Sequence, residues 1–79
     1  MTALYDSVVD VISTRFEIEP ERVLPEASFD DLDLDSLSQV ELATVLGHKF
    51  GLEMSDEELA RISRVSEVVG WLHDKGATV

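Results

Sequence analysis

Apolar residues recur along this chain at intervals of three and four positions, the spacing that places them on one face of an α-helix. The first such stripe runs from near Thr2 to near Phe16, and the last runs from about Val65 to Asp74. No segment shows the sustained alternation of apolar and polar residues that predicts a strand. The stripes consist of Leu4, Val8, Val11, Ile12 and Phe16 in the first helix and Val65, Val68, Val69 and Leu72 in the last.

Two further helices are predicted between these stripes. One begins at Asp35 or Ser36 and ends near Phe50, where Gly51 is a typical C-terminal stop. The other is short and opens with Ser55-Asp56-Glu57-Glu58, the pattern of a capping box. The sequence therefore predicts an all-α fold, a small four-helix bundle with a short third helix.

A long loop separates the first two helices. Pro20 and Pro25 do not fit a helix interior, so the segment from Glu17 to Asp35 is predicted to be a loop with one turn around Glu21–Leu24. Long loops in small domains are uncommon unless they are functional. The residues expected to pin the loop to the core are Val23, Leu24, Phe29, Leu32 and Leu34. Residues 1–79 are expected to form a single domain.

The net charge of the chain indicates which kinds of partner it can bind. The 79 residues include 17 acidic and 6 basic side chains, for a net charge of −11. Such a surface repels nucleic-acid phosphates and anionic membranes and attracts proteins with basic patches. The chain has no cysteine, no apolar run long enough to span a bilayer, and no charged start followed by an apolar run. We expect a cytoplasmic monomer without a signal peptide or membrane insertion.

The second helix has two different faces. At 100° per residue, Leu42, Leu46, Phe50 and Ala43 cluster on a side that is expected to face the core. The opposite side carries Leu37, Val40, Glu41 and Thr44. Apolar and acidic residues together suit a docking face, although isolated exposed Leu and Val residues are common.

Ser36 stands where this helix is predicted to start. Together with Gln39 it matches a capping box, and most serines in such a position only cap the helix. The local sequence is not the G-x-S-x-G of a nucleophilic serine, and only His48 and His73 are available as a base. No catalytic residue is therefore predicted.

The acidic run before Ser36 resembles part of a calcium loop. Asp31, Asp33 and Asp35 match positions 1, 3 and 5 of an EF-hand. Ser36 then occupies the glycine position and Leu42 the position of the bidentate glutamate. No metal site is predicted.

The segment from Phe29 to Leu42 reads FDDLDLDSLSQVEL. It resembles the acyl carrier protein signature, an aromatic residue and a leucine followed by D-S-L-x-x-V-E-L, and the length, charge and helix order of the whole chain agree with that family. The resemblance implies a non-enzymatic carrier. Ser36 would hold 4′-phosphopantetheine from coenzyme A as a phosphodiester, attached by a separate magnesium-dependent transferase, and the arm would carry acyl groups as thioesters.

The resemblance also implies how the protein is recognised. Its partners would be the phosphopantetheinyl transferase and acyltransferase or ketosynthase-type enzymes with basic, partly apolar docking patches. The docking residues would be Asp35, Leu37, Val40, Glu41 and Thr44. Phe29, Leu46 and Ile62 would line a space for the attached acyl chain, although these residues are also ordinary core.

The pathway and the function class stay open at this point. Asp33 replaces a glycine common in the family, and Gly47, His48 and Lys49 stand where fatty-acid carriers are often acidic. The motif spacing favours polyketide or other specialised metabolism, with fatty-acid synthesis next and an aminoacyl or peptidyl carrier third. The alternative outside the carrier class is an acidic helical module that docks on a basic protein without being modified.

Overall fold

A computed structural model describes residues 3–77 and shows four α-helices. They are α1 (Ala3–Phe16), α2 (Ser36–Phe50), α3 (Asp56–Ala60) and α4 (Val65–Asp74), with a 3₁₀ turn at Pro20–Arg22. Between residues 3 and 77 no strand forms, and the pairing of Ser28 with Arg64 is an isolated bridge. The predicted all-α class, helix order and short third helix are confirmed. Thr2, near the predicted start of α1, lies outside the described residues.

The core lies where α1 packs against both α2 and α4. The apolar stripes predicted for α1 and α4 face it, because residues three and four apart share a helix face. In α2, Leu42 and Leu46 are buried as expected, while Ala43 and Phe50 are half-buried at its edge. The most completely buried side chains are Val8, Ile12, Val23, Leu42, Leu46, Val65, Val68 and Leu72.

The loop between α1 and α2 is fastened by its side chains and its backbone. Val23, Phe29, Leu32 and Leu34 are buried, as predicted. Leu24 was expected to join them, but the prediction is wrong because its side chain is 45% exposed. Val23, at the end of the 3₁₀ turn, fills the core position at this point, and Leu24 after it is left at the surface.

Backbone hydrogen bonds join the same loop to the start of α4. The N–H of Val65 donates to the carbonyl oxygen of Ala27 at 3.0 Å, and that of Ser66 donates to Pro25 at 2.8 Å. The hydroxyl of Tyr5, which belongs to α1, donates a hydrogen bond to the carbonyl oxygen of Val23 in the loop. The long loop is therefore a fixed support for the start of α2.

Two helix boundaries follow the expected end chemistry. Gly51 adopts a left-handed conformation (φ 67°) at the end of α2, which glycine accepts without steric cost. At the start of α3, the Ser55 hydroxyl accepts from the N–H of Glu58, and the Glu58 carboxylate accepts from the N–H of Ser55, both at 3.1 Å. The predicted capping box is confirmed.

Candidate functional site

Ser36 is the first residue of α2 and is exposed. Its position is fixed by two buried neighbours, Leu34 just before the helix and Leu42 in its second turn. Within residues 3–77 the Ser36 hydroxyl makes no hydrogen bond. The fold therefore presents this hydroxyl to solvent at a defined place.

The cap of α2 is Asp35, not Ser36. Oδ1 of Asp35 accepts a hydrogen bond from the N–H of Ser38 at 2.8 Å, and this bond is the main cause that lowers the pKa of Asp35. The predicted capping box of Ser36 with Gln39 is wrong, because the Gln39 amide instead donates to the carbonyl oxygen of Leu34 at 3.0 Å. Capping by Asp35 leaves Ser36 available for other chemistry.

Asp33 shapes the turn that leads into α2. The residue has φ 59°, a left-handed conformation that aspartate tolerates better than most residues but glycine adopts most easily. The N–H of Leu34 donates to Phe29 at 2.9 Å and that of Asp33 donates to Asp30 at 3.1 Å. This is the Schellman pattern that ends a helical turn. Asp33 thus takes the conformation for which a glycine is usual.

Four exposed residues form one stripe along the outer side of α2. Leu37 is 79% exposed and Val40 is 48% exposed. Glu41 and Thr44 follow them on the same face, and the Thr44 hydroxyl donates to the carbonyl oxygen of Val40 at 3.0 Å. We call Leu37, Val40, Glu41 and Thr44 the α2 stripe. Asp35 lies at the N-terminal end of this stripe. The stripe and Asp35 together comprise all five predicted docking residues.

The acidic residues before α2 do not converge on a point. Asp31 accepts from the N–H of Ser28 at 3.1 Å, and Asp33 lies 3.9 Å from Arg22. In the described part of the chain, no group of three or more Asp, Glu or His side chains is arranged to hold a metal ion. The three aspartates of the calcium-loop pattern are therefore spread over the surface rather than gathered.

The residues predicted to line a space for an acyl chain lie in the core. Phe29 and Leu46 are each 2% exposed and Ile62 is 8% exposed. A groove of about 590 Å³ does open between α2 and α3, but none of these three residues lines it. Its lining comprises Val40, Ala43, Thr44, Gly47, His48, Gly51, Leu52, Glu53, Met54, Asp56 and Leu59.

Sequence reasoning missed this groove because it depends on Gly47. A Cβ atom at this position would lie 2.6 Å from the carbonyl oxygen of Leu52, so only glycine allows the chain after α2 to return so closely. The N–H of Leu52 donates to the carbonyl oxygen of Gly47 at 2.9 Å. The sequence signal that could have revealed the groove is the glycine at position 47, inside a helical pattern, where an isolated glycine often has a packing reason.

Comparison with known proteins supports the carrier resemblance. A family model described as the phosphopantetheine attachment site matches residues 6–72. The chain is 37% identical over 75 residues to an acyl carrier protein of Thermosynechococcus vestitus, covering 94% of this chain and 93% of the relative. It belongs to the acyl carrier protein family.

Other members of the family are similarly close. An acyl carrier protein of Bdellovibrio bacteriovorus is 39% identical over 94% of this chain and 96% of its own length. A meromycolate extension acyl carrier protein of Mycobacterium tuberculosis is 42% identical over 82% of this chain, which spans 57% of that relative's length.

Family membership gives the carrier its cofactor and its general partners. This acyl carrier protein uses covalently attached 4′-phosphopantetheine, whose terminal thiol holds acyl groups as thioesters. Carriers of this family interact with a phosphopantetheinyl transferase and with biosynthetic enzymes. Within residues 3–77, no helix is both long enough and apolar enough to cross a membrane.

Proposed function

We propose that Ser36 is the residue to which phosphopantetheine is attached. The observation that carries the proposal is the exposed Ser36 hydroxyl, which stands in the D-S-L motif and is left free because Asp35 caps the helix. Attachment would join Oγ to the phosphorus of the pantetheine half of coenzyme A. The hydroxyl proton and adenosine bisphosphate would leave.

The start of α2 also suits the charge of the product. A phosphodiester on Ser36 would sit beside the first N–H groups of a 15-residue helix, where the helix dipole favours negative charge. The exposed position needs no repacking of the core to accept the arm. The residues present therefore fit the group.

The α2 stripe and Asp35 form the proposed docking surface. Its occupant would be an enzyme surface that combines basic side chains with an apolar contact, because Leu37 and Val40 are exposed next to Asp35 and Glu41. Complementary charge of this kind mainly raises the association rate and selects partners. The transferase and acyltransferase or ketosynthase-type enzymes would share this surface.

The chain itself would act as a carrier and not as a catalyst. His48 and His73 are exposed, and neither makes a hydrogen bond to Ser36 in the described structure. Copies with a charge of −11 repel one another, which supports a monomer, and we place the protein in the cytoplasm. Phe29, Leu46 and Ile62 would contact an acyl chain only if α2 and α3 separated.

The motif spacing supports a pathway of polyketide or other specialised metabolism. Synthesis of fatty chains is the second candidate, and the relative named for meromycolate extension favours it. Extension assays with the acylated carrier and ketosynthases of the two types would separate them. Faster extension by the fatty-acid type would overturn the first assignment.

Intact mass after incubation with coenzyme A, magnesium and a broad-specificity phosphopantetheinyl transferase tests the attachment residue. The wild type should gain the mass of one phosphopantetheine. Ser38→Ala, a matched control two positions further along the same helix, should gain it too, while Ser36→Ala should not. If a folded, unmodified wild type gains nothing, the unmodified docking module becomes the better account.

A further inference from the structure

One residue of the α2 stripe already has a basic partner within the protein. Nε of Arg15, on α1, lies 2.7 Å from Oε2 of Glu41 and donates a hydrogen bond to it. The two side chains remain 55% and 47% exposed. They meet at a groove of about 510 Å³ between α1 and α2, which Asp10 also lines.

In the described structure, the carboxylates at the opposite edge of the stripe, towards α3, are not ion-paired. The groove between α2 and α3 carries Glu53 and Asp56, and neither side chain forms an ion pair within residues 3–77. Asp35, at the N-terminal end of the stripe, is engaged by neutral groups, chiefly the backbone N–H of Ser38. Glu41, the one carboxylate of the stripe itself, is therefore ion-paired with Arg15, whereas the carboxylates that flank the stripe, Asp10 on the α1 side included, have no ion pair within residues 3–77.

We propose that Arg15 is a specificity-determining residue that masks Glu41. This inference rests on the proposed docking role of the α2 stripe. An incoming basic group must share Glu41 with Arg15 or displace it, whereas Asp35, Glu53 and Asp56 are open to it. Partners whose basic side chains reach the α3 side are favoured, and partners that depend on Glu41 are disfavoured.

The expected effect is modest because the pair is exposed. Exposed ion pairs contribute little, so Arg15→Gln should raise kcat/KM for transferase loading by about two- to fivefold. The gain must require Glu41. In the Glu41→Gln background, Arg15→Gln should give only the smaller increase that follows from removing any one positive charge.

The experiment is a double-mutant cycle on the full chain, with wild type, Arg15→Gln, Glu41→Gln and the double variant. Loading by a broad-specificity phosphopantetheinyl transferase is followed by intact mass at several carrier concentrations. Arg61→Gln, which removes the same charge from a residue without an ion pair in the described structure, is combined with Glu41→Gln as the matched control. Arg15→Lys, which keeps the charge, should behave like the wild type.

The outcomes are distinct. Coupling between positions 15 and 41 of twofold or more, with none between 61 and 41, supports masking. Equal effects of Arg15→Gln in both backgrounds, or a fall in kcat/KM, would overturn it, while unchanged melting temperatures show that the fold is intact. Loss of loading in every protein, wild type included, would instead count against the proposed function.

Discussion

The indole N–H of Trp71 donates a hydrogen bond to Oε2 of Glu58, with 2.7 Å between nitrogen and oxygen. Nζ of Lys75 lies 3.2 Å from the same oxygen, and the other carboxylate oxygen accepts from Ser55 at the start of α3. One carboxylate therefore caps α3 and joins it to α4. These bonds, with that of Trp71 first, lower the pKa of Glu58 to about 2.

The contribution of Glu58 to stability should depend on pH. Its pKa in the folded protein lies below the ordinary value of 4.5, so its stabilising effect is complete above pH 4.5 and is lost as the pH falls towards about 2. Glu58→Gln should lower the free energy of unfolding at pH 7, and its difference from the wild type should shrink below pH 4.5. Urea unfolding followed by fluorescence of Trp71, the only tryptophan, measures this.

Glu57→Gln is the matched control for that series. Glu57 lies in the same helical turn but makes no side-chain hydrogen bond in the described structure. A stability difference between Glu58→Gln and Glu57→Gln that stays constant from pH 7 to pH 3 would contradict the assigned role of the carboxylate.

Asp35 should contribute to the stability of α2, and Ser36 should not. Asp35→Ala removes the cap of α2 and should cost about 1 kcal/mol, which lowers the melting temperature by roughly 4–8 °C in a domain of this size. Asp35→Asn should retain most of the stability because asparagine also caps. Ser36→Ala should change the free energy of unfolding by less than about 0.5 kcal/mol. Thermal unfolding that ranks Ser36→Ala with Asp35→Ala would refute this assignment.

Two glycines inside helices should respond to alanine with opposite signs. Gly70 has open space around it, so Gly70→Ala should stabilise the protein by up to about 1 kcal/mol through helix propensity. Gly47→Ala offers the same propensity gain, but its Cβ would lie 2.6 Å from the carbonyl oxygen of Leu52, so the backbone must shift and the protein should lose stability. Chemical denaturation of both variants tests the pair, and stabilisation by Gly47→Ala would show that the chain does not return so closely.

Asp33 should tolerate glycine but not a β-branched residue. At φ 59°, valine meets the steric cost of the left-handed region, about 1–2 kcal/mol, so Asp33→Val should be destabilised by that order. Asp33→Gly relieves the same strain and should lie within about 1 kcal/mol of the wild type. Asp30→Val, in the same turn without a positive φ, controls for loss of an acidic side chain. Equal melting temperatures for the two valine variants would contradict the argument.

Much of the helical framework could be read from the sequence because it depends on local signals. The spacing of apolar residues gives α1 and α4, Gly51 ends α2, and the Ser55 and Glu58 pair starts α3. The same signals assigned the wrong cap to α2, because Asp35 and Ser36 are adjacent and both are good caps. Only the direction of the Asp35 side chain decides between them.

The features that were not predicted depend on contacts distant in sequence. Arg15 and Glu41 are 26 positions apart, and Trp71 and Glu58, which lie on different helices, are 13 positions apart. Val23 and Leu24 are both apolar and adjacent, and only Val23 is buried in the core, so Leu24 is exposed. Periodicity within one helix carries no information on such pairings.

The free hydroxyl of Ser36 bears on when the phosphopantetheine arm is added and whether it can be replaced. If the arm is attached to Ser36 as proposed, no hydrogen bond of the described fold would have to break, since none depends on that side chain. The arm could then be added at any time after synthesis, and an enzyme that removes it would return a sound molecule ready for reuse. Replacement of a damaged or wrongly loaded arm would require no new protein.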